Sequence, residues 1–179
     1  WNDGATNNPR TIVVTNDTAF TAFFAIDSHY VAANSNDETY GTISGSGQYP
    51  YGDTIFLLAQ ATPHHHFAHW QDGDTTNPRQ IVVTQDLVFQ AIFQTDSHNV
   101  VLQSSNNSHG TVLGEGTYPY GATATIAAIP SEHYHFLQWQ DGETYNPRQI
   151  TILSDTLFVA SFVTDSHSVV ANSNDETMG

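Results

Sequence analysis

Residues 70–93 read WQDGDTTNPRQIVVTQDLVFQAIF. The end of this stretch is the plainest strand in the chain. Phe89, Ala91 and Phe93 alternate with Val88, Gln90 and Ile92, the period of two expected when one face is buried. A small residue between two phenylalanines suits close packing against a facing element. Upstream, Asp72-Gly73 reads as a tight turn, because glycine accepts a positive φ and the aspartate side chain accepts backbone N–H bonds. Asn77-Pro78 then keeps the asparagine out of the helical region and opens another strand, residues 80–84. Strand end, corner, strand, turn, strand is the reading, with no 3.6-residue period anywhere in it.

Working outward, the same stretch recurs. Trp1, Trp70 and Trp139 are 69 residues apart, and so are the Asn-Pro-Arg triplets ending at Arg10, Arg79 and Arg148. The Asp-Ser-His triplets at 27–29, 96–98 and 165–167 keep the same spacing, with no insertion between copies. The chain therefore divides into the C-terminal part of a repeat (1–26), two complete repeats (27–95 and 96–164) and the N-terminal part of another (165–179). That division reads as a window on a longer tandem array. A 69-residue unit buries only roughly 60% of its unfolded surface, so neighbouring repeats are its expected partners.

Each repeat reads as six strands. They cover residues 29–35, 41–49 (weakened or bulged by its glycines), 54–61, 66–71, 80–84 and the Phe-x-Ala-x-Phe strand. Pro50-Tyr51-Gly52-Asp53 is a turn, matched by PYGA at 119–122. In the third strand Ile55, Leu57 and Ala59 share a face, as do Ala124, Ile126 and Ala128 in the next copy. The expected fold is all-β, a tandem array of small six-stranded, sandwich-like modules. Between modules lie only short polar connections without glycine, which predict a semi-rigid rod.

Composition narrows the function. The chain has no lysine, three arginines and eighteen acids, for a net charge of -15. Such a surface repels nucleic-acid backbones and anionic lipid. The apolar run Ile55–Ala59 is far too short to span a membrane, so no membrane insertion is expected in this window. With 39% hydrophobic and 12% aromatic residues the chain can still build cores rather than remain disordered. Absence of cysteine removes disulfides, thiol catalysis and cysteine metal sites, and absence of lysine removes Schiff-base chemistry.

The three copies share Trp-x-Asp-Gly-x-Thr-x-Asn-Pro-Arg, then a strand, an acid-containing turn and Phe-x-Ala-x-Phe. The complete copies add Gly-Thr-[Ile/Val]-x-Gly-x-Gly-x-Tyr-Pro-Tyr-Gly upstream. Over every position the chain resembles the divergent internalin-type B-repeat, also called the Listeria–Bacteroides repeat. The resemblance implies a tandem module of secreted or cell-surface bacterial proteins, Bacteroidota-like in style, with no catalytic role to carry over. It also raises a β-grasp fold as the alternative to a sandwich, although no helix is evident here. A Bacteroidota-like source would make Thr18, Thr54, Thr75 and Thr156 candidates for O-glycosylation, since each follows an aspartate and precedes an apolar residue or threonine.

His64, His65, His66 and His69 suggest a metal site, but i and i+3 on a strand face opposite ways, and in the next copy His65 becomes Tyr134 and His69 becomes Gln138. Only His133 and His135 recur, so a polar strand entry is expected. Calcium through Asp72 and Asp74 is the alternative cofactor reading, but Asp74 is Glu143 and Ala5 in the sister copies. The arginines are more telling. All three cations sit in the Asn-Pro-Arg motif, which predicts that each stacks on an aromatic ring or pairs with a carboxylate, the Asp-Gly acid of its own repeat being one candidate.

The structural motif is therefore Trp1, Asp3, Gly4, Pro9 and Arg10, then Trp70, Asp72, Gly73, Pro78 and Arg79, then Trp139, Asp141, Gly142, Pro147 and Arg148. Phe67 and Trp70 lie three apart, so either a bulge turns both inward or Trp70 caps one end of the core or an inter-repeat junction. Tyr49 and Tyr51, with Tyr118 and Tyr120, are the candidate exposed aromatics for glycan contact. Paired carboxylates recur in no pocket-like context, and Ser, His and Asp of Asp-Ser-His are merely adjacent in a linker. The expectation is a non-enzymatic, extracellular or surface module without cofactor. It would act as stalk, adhesin spacer or self-associating fibre material. Host or matrix glycan or protein binding is one alternative function, and a calcium-stiffened extender domain is the other.

Overall fold

The computed structural model describes residues 1–172. It divides into two compact units, the first containing Trp1–Thr62 and His66–Gln94, the second containing Pro63–His65 and the chain from Thr95 onward. The first unit holds strands β1 (Ser28–Ser35), β2 (Gly41–Ser44), β3 (Gly47–Pro50), β4 (Thr54–Ala61), β5 (His65–Trp70), β6 (Arg79–Val82) and β7 (Leu87–Thr95). The second repeats the series as β8 (Ser97–Ser104), β9 (Gly110–Leu113), β10 (Gly116–Pro119), β11 (Thr123–Pro130), β12 (Tyr134–Trp139), β13 (Arg148–Thr151) and β14 (Thr156–Thr164). No helix occurs among the described residues, which removes the β-grasp alternative.

In each unit a four-stranded sheet lies against a three-stranded one. The orders are β3-β1-β7-β5 and β2-β4-β6 in the first unit, and β10-β8-β14-β12 and β13-β11-β9 in the second. Within these sheets the first and last strands of a unit pair in parallel, Val31 opposite Leu87 and Val100 opposite Thr156. Alternation then places Val31, Phe89, Ala91, Phe93 and Trp70 from one sheet against Ile55, Leu57, Ala59 and Ile81 from the other. The second unit does the same with Val100, Leu102, Ala160, Phe162 and Trp139 against Ala124, Ile126, Ala128 and Ile150. Full burial of a valine, leucine or phenylalanine side chain contributes about 1.5–3 kcal/mol, so these facing rows dominate stability.

Each unit has seven strands rather than six, for a local reason. The stretch 41–49 reads as one weakened strand, but it breaks at Gly45-Ser46. Before the break Ile43 pairs with Ala59 in one sheet, and after it Tyr49 pairs with His29 in the other. Gly45 has φ +106°, and a Cβ there would lie 2.3 Å from the carbonyl oxygen of Phe56. Only glycine lets the chain pass that close while changing sheets. The hydroxyl of Tyr49 donates to the Gly45 carbonyl at 2.9 Å, and Tyr118 does the same to Gly114 at 3.0 Å.

The Phe–Trp spacing is settled by a bulge. Between β12 and β14 the register shifts between Phe136 and Gln138, so Leu137 is exposed while Phe136 and Trp139 both turn inward. Their ring centroids are 5.4 Å apart, the same separation as Phe67 and Trp70 in the first unit. Residues 1–26 and 165–172 form no strand. A strand needs a partner along its ladder, and the counterpart of β7 in residues 18–26 has a single backbone bond, Asn2 N–H to the Thr21 carbonyl at 2.9 Å.

Candidate functional site

The motif residues assemble into one corner between β5 and β6. The backbone N–H of Gly73 donates to the Trp70 carbonyl at 2.8 Å, and that of Trp70 to the Asp74 carbonyl at 2.7 Å. Gly73 takes φ +87°, which closes the turn. The indole N–H of the fully buried Trp70 donates to the Thr76 carbonyl at 2.9 Å. The next residue, Asn77, is joined to Pro78 by a cis peptide bond. Its amide donates to the Ala59 carbonyl at 2.7 Å, and its side-chain oxygen accepts from Ala59 N–H at 3.0 Å. A side chain thus extends the ladder along β4 where no strand reaches, which keeps two inward-lying backbone groups paired.

Arg79 then closes the corner. Its Nη1 and Nη2 donate to the two carboxylate oxygens of Asp72 at 2.8 and 2.6 Å, and its Nε lies 3.4 Å from Asp74. The guanidinium carbon stands 4.8 Å from the ring centre of Phe89 and 5.9 Å from that of Trp70. A planar fork can hold a carboxylate edge-on and lie on an aromatic face at once, which lysine cannot do. The paired arginine lowers the Asp72 carboxyl to about 2, and the Thr76 backbone N–H lowers Asp74. Arg79 is raised in turn, chiefly by its bonds to Asp72.

The corner recurs in every copy. Arg148 bonds Asp141 at 2.9 and 2.8 Å and lies 5.0 Å from the Phe158 ring, and Asp141 is lowered chiefly by that arginine. Asn146 bridges Ala128 at 2.6 and 2.8 Å after a cis bond to Pro147. In residues 1–26 Arg10 pairs with Asp3, lies 4.4 Å from the Phe20 ring, and the Trp1 indole donates to Asn7 at 3.0 Å. Gly4 donates to the Trp1 carbonyl at 3.1 Å, and Asn8-Pro9 is cis. The corner closes there without any strand, so its own contacts are enough to define it.

A second recurrent cluster was not legible as such. The Asp-Ser-His segment is bonded rather than merely solvated. His29 lies 3.6 Å from Asp86, whose carboxylate also accepts the Tyr30 N–H at 2.8 Å, while the Asp27 carbonyl accepts the Tyr51 N–H at 2.7 Å. His98, Asp155, Asn99, Asp96 and Tyr120 repeat this arrangement at 3.5, 2.8 and 2.8 Å. The available signal was the acid-containing turn, with Asp86 and Asp155 at the same offset from Asp-Ser-His.

The histidine run does not converge. His65 Nδ1 faces the Pro63 carbonyl at 3.0 Å and His69 Nδ1 the Trp70 carbonyl at 2.8 Å. His64, at φ +65°, belongs with the second unit and stacks on Tyr120 at 3.6 Å; its counterpart His133 has φ +71°. His135 bonds Asp165 at 2.8 Å. Among the described residues no three or more His, Asp or Glu side chains gather as a metal site. His109 stacks on Tyr134 at 4.1 Å, while the first unit has the two residue types exchanged at these positions, Tyr40 and His65.

Of the tyrosines considered for glycan contact, Tyr49 and Tyr118 are half-buried against the cores with their hydroxyls bonded internally. Tyr120 lies against His64, and Tyr51 alone of the four is largely open, at 57% exposure. Thr18, Thr54 and Thr75 are exposed, and Thr156 is half-buried with its hydroxyl on the Ser154 carbonyl at 3.0 Å.

Searches of curated proteins and of solved structures returned no match. A family model, the divergent InlB B-repeat domain, matches residues 31–97 and again residues 100–172. Each match runs from within the first strand of one unit through its last strand and includes its corner, and the family points to a repeat module of a surface protein. The chain belongs to the divergent InlB B-repeat domain family, which it carries in two tandem copies.

Proposed function

We propose that the chain is a non-enzymatic spacer, acting as stalk, adhesin extender or fibre material of an extracellular or cell-surface protein and needing no cofactor. The observation that carries this reading is the use made of the motif residues. Trp70, Asp72, Asn77 and Arg79 direct their polar groups to one another, to the Thr76 carbonyl of the corner and to the backbone of β4, and their counterparts in the second unit do the same. A residue set repeated with the fold and satisfied within it serves the fold. The acidic, lysine-free surface keeps copies apart in solution. The test is contour length. Proteins carrying two, four and eight repeats, viewed by electron microscopy, should lengthen in proportion to repeat number. Particles that stay globular as repeats are added would end the spacer reading.

The second reading, a glycan-binding module, rests on Tyr51, an open aromatic face on the turn after β3. Binding on a glycan array that disappears with Tyr51→Ala would favour it over the spacer.

A further inference from the structure

Every corner contains an Asp-Gly dipeptide: Asp3-Gly4, Asp72-Gly73 and Asp141-Gly142. An aspartate followed by glycine is open to cyclisation. The glycine amide nitrogen attacks the side-chain carboxyl carbon, its proton is lost, one carboxyl oxygen leaves as water, and a succinimide forms. Water then reopens the ring to aspartate or to isoaspartate, which adds a methylene to the main chain. Glycine offers no side chain to hinder the attack. Burial gives no protection either, because the Asp3, Asp72 and Asp141 side chains are 42%, 48% and 41% exposed.

We infer that each Asp-Gly corner is a latent isomerisation site and that the arginine of the same corner holds it closed. Three features of the geometry carry this. Both oxygens of Asp72 are held by Arg79, at 2.8 and 2.6 Å, so neither is free to leave as water without breaking a charge-assisted bond. Departure as water also requires the neutral acid, and the guanidinium makes that already scarce form scarcer. The attacking nitrogen is engaged elsewhere, since Gly73 N–H donates to Trp70 at 2.8 Å. Cyclisation must therefore break the ion pair and the turn together. The added backbone atom would fall between β5 and β6, where it would displace the Asn77 amide from Ala59. All three copies carry the same clamp on the same dipeptide.

The test needs only the chain itself, because the second corner is an internal reference. Wild type and Arg79→Gln are aged at 37 °C and pH 7, digested, and isoaspartate is measured by mass spectrometry at Asp72 and Asp141 in the same molecule. Wild type should accumulate it slowly and equally at both. Arg79→Gln should accumulate it about tenfold faster at Asp72, the change that one pH unit makes in neutral-acid population, with Asp141 unchanged. Asn77→Ala releases the other tie of the corner and leaves the arginine in place, so it should stay slow. Equal rates at Asp72 in wild type and Arg79→Gln would overturn the inference. So would an Asn77→Ala protein that isomerises as fast as Arg79→Gln, since general loosening would then suffice. If the melt shows that Arg79→Gln does not fold, Arg79→Lys takes its place: it keeps the charge and loses the fork, so Asp72 should isomerise several-fold faster than Asp141, and equal rates at the two would overturn the inference.

Discussion

Arg79 reaches back seven residues to grip both carboxylate oxygens of Asp72 while its guanidinium lies 4.8 Å from the ring of Phe89. One side chain thereby ties the β5–β6 corner to β7, the inner strand beside β5 in the four-stranded sheet. Arg79→Ala loses the fork and the ring contact together, and the melting temperature should fall by about 5 °C. Arg79→Lys should recover only part of this, since an ammonium cannot pair in two directions and stack. An unchanged melt for Arg79→Ala, followed by circular dichroism, would show the clamp to be ornamental for folding.

Trp70 has no exposed surface, contacts Phe67 and Phe89, and uses its indole N–H on Thr76. Trp70→Ala removes the largest side chain of the first core and should cost about 3–5 kcal/mol. That is a large share of what a small domain possesses. Limited proteolysis should then cut within residues 28–95 at protease levels that leave wild type intact. Trp139→Ala should transfer the cleavage to residues 97–164.

Two glycines with similar backbone angles should respond differently to alanine. At Gly73, φ +87°, an added Cβ meets nothing within 4 Å, so the cost is the conformational one of about 1–2 kcal/mol. At Gly45, φ +106°, the same atom lands 2.3 Å from the Phe56 carbonyl and the backbone must move. Gly45→Ala should therefore lower the urea midpoint at least twice as far as Gly73→Ala. Equal shifts would mean that the crossing between sheets is looser than the close approach implies.

Acid should weaken the fold through the same corner. The carboxyl of Asp72 lies at about 2 in the folded chain against 3.8 in its absence, because Arg79 bonds it. A lowered folded value contributes stability above the unfolded value and loses it as pH falls through the folded one. The contribution of Asp72 is therefore complete above about pH 5, falls as pH drops through the folded value, and is gone at about pH 1. Melting temperature against pH should fall more steeply over that window for wild type than for Arg79→Gln. Parallel curves would remove the ion pair from the account of acid stability.

Much of this was written locally in the chain. Spacing of Trp, Asn-Pro-Arg and Asp-Ser-His defines a repeat without any structure, and alternation in Phe89-x-Ala91-x-Phe93 defines a buried strand face. The corner was equally legible, since Trp70, Asp72 and Arg79 lie within ten residues and close on one another even in residues 1–26, where no strand forms. Histidines that fill 64–66 attract attention for their chemistry, but comparison with the sister copy already separates them from the recurring set.

Long-range pairing was not legible. Nothing near Gly45 says that the strand before it belongs with β4 and the strand after it with β1. Nor does local pattern show that Asn77 completes the ladder of Ala59, eighteen residues away, or that His29 meets Asp86 across fifty-six residues from Tyr30 to that carboxylate. Tyr49 and Tyr51 look alike on either side of Pro50, and only the packed sheets turn one hydroxyl inward and leave the other ring in water. By itself the sequence determined the period, the strand faces and the arginine corner, because each depends on neighbours a few bonds away. Tertiary structure alone decided which sheet each strand joins, because unpaired backbone groups take whichever partners the closing of a common core brings within reach.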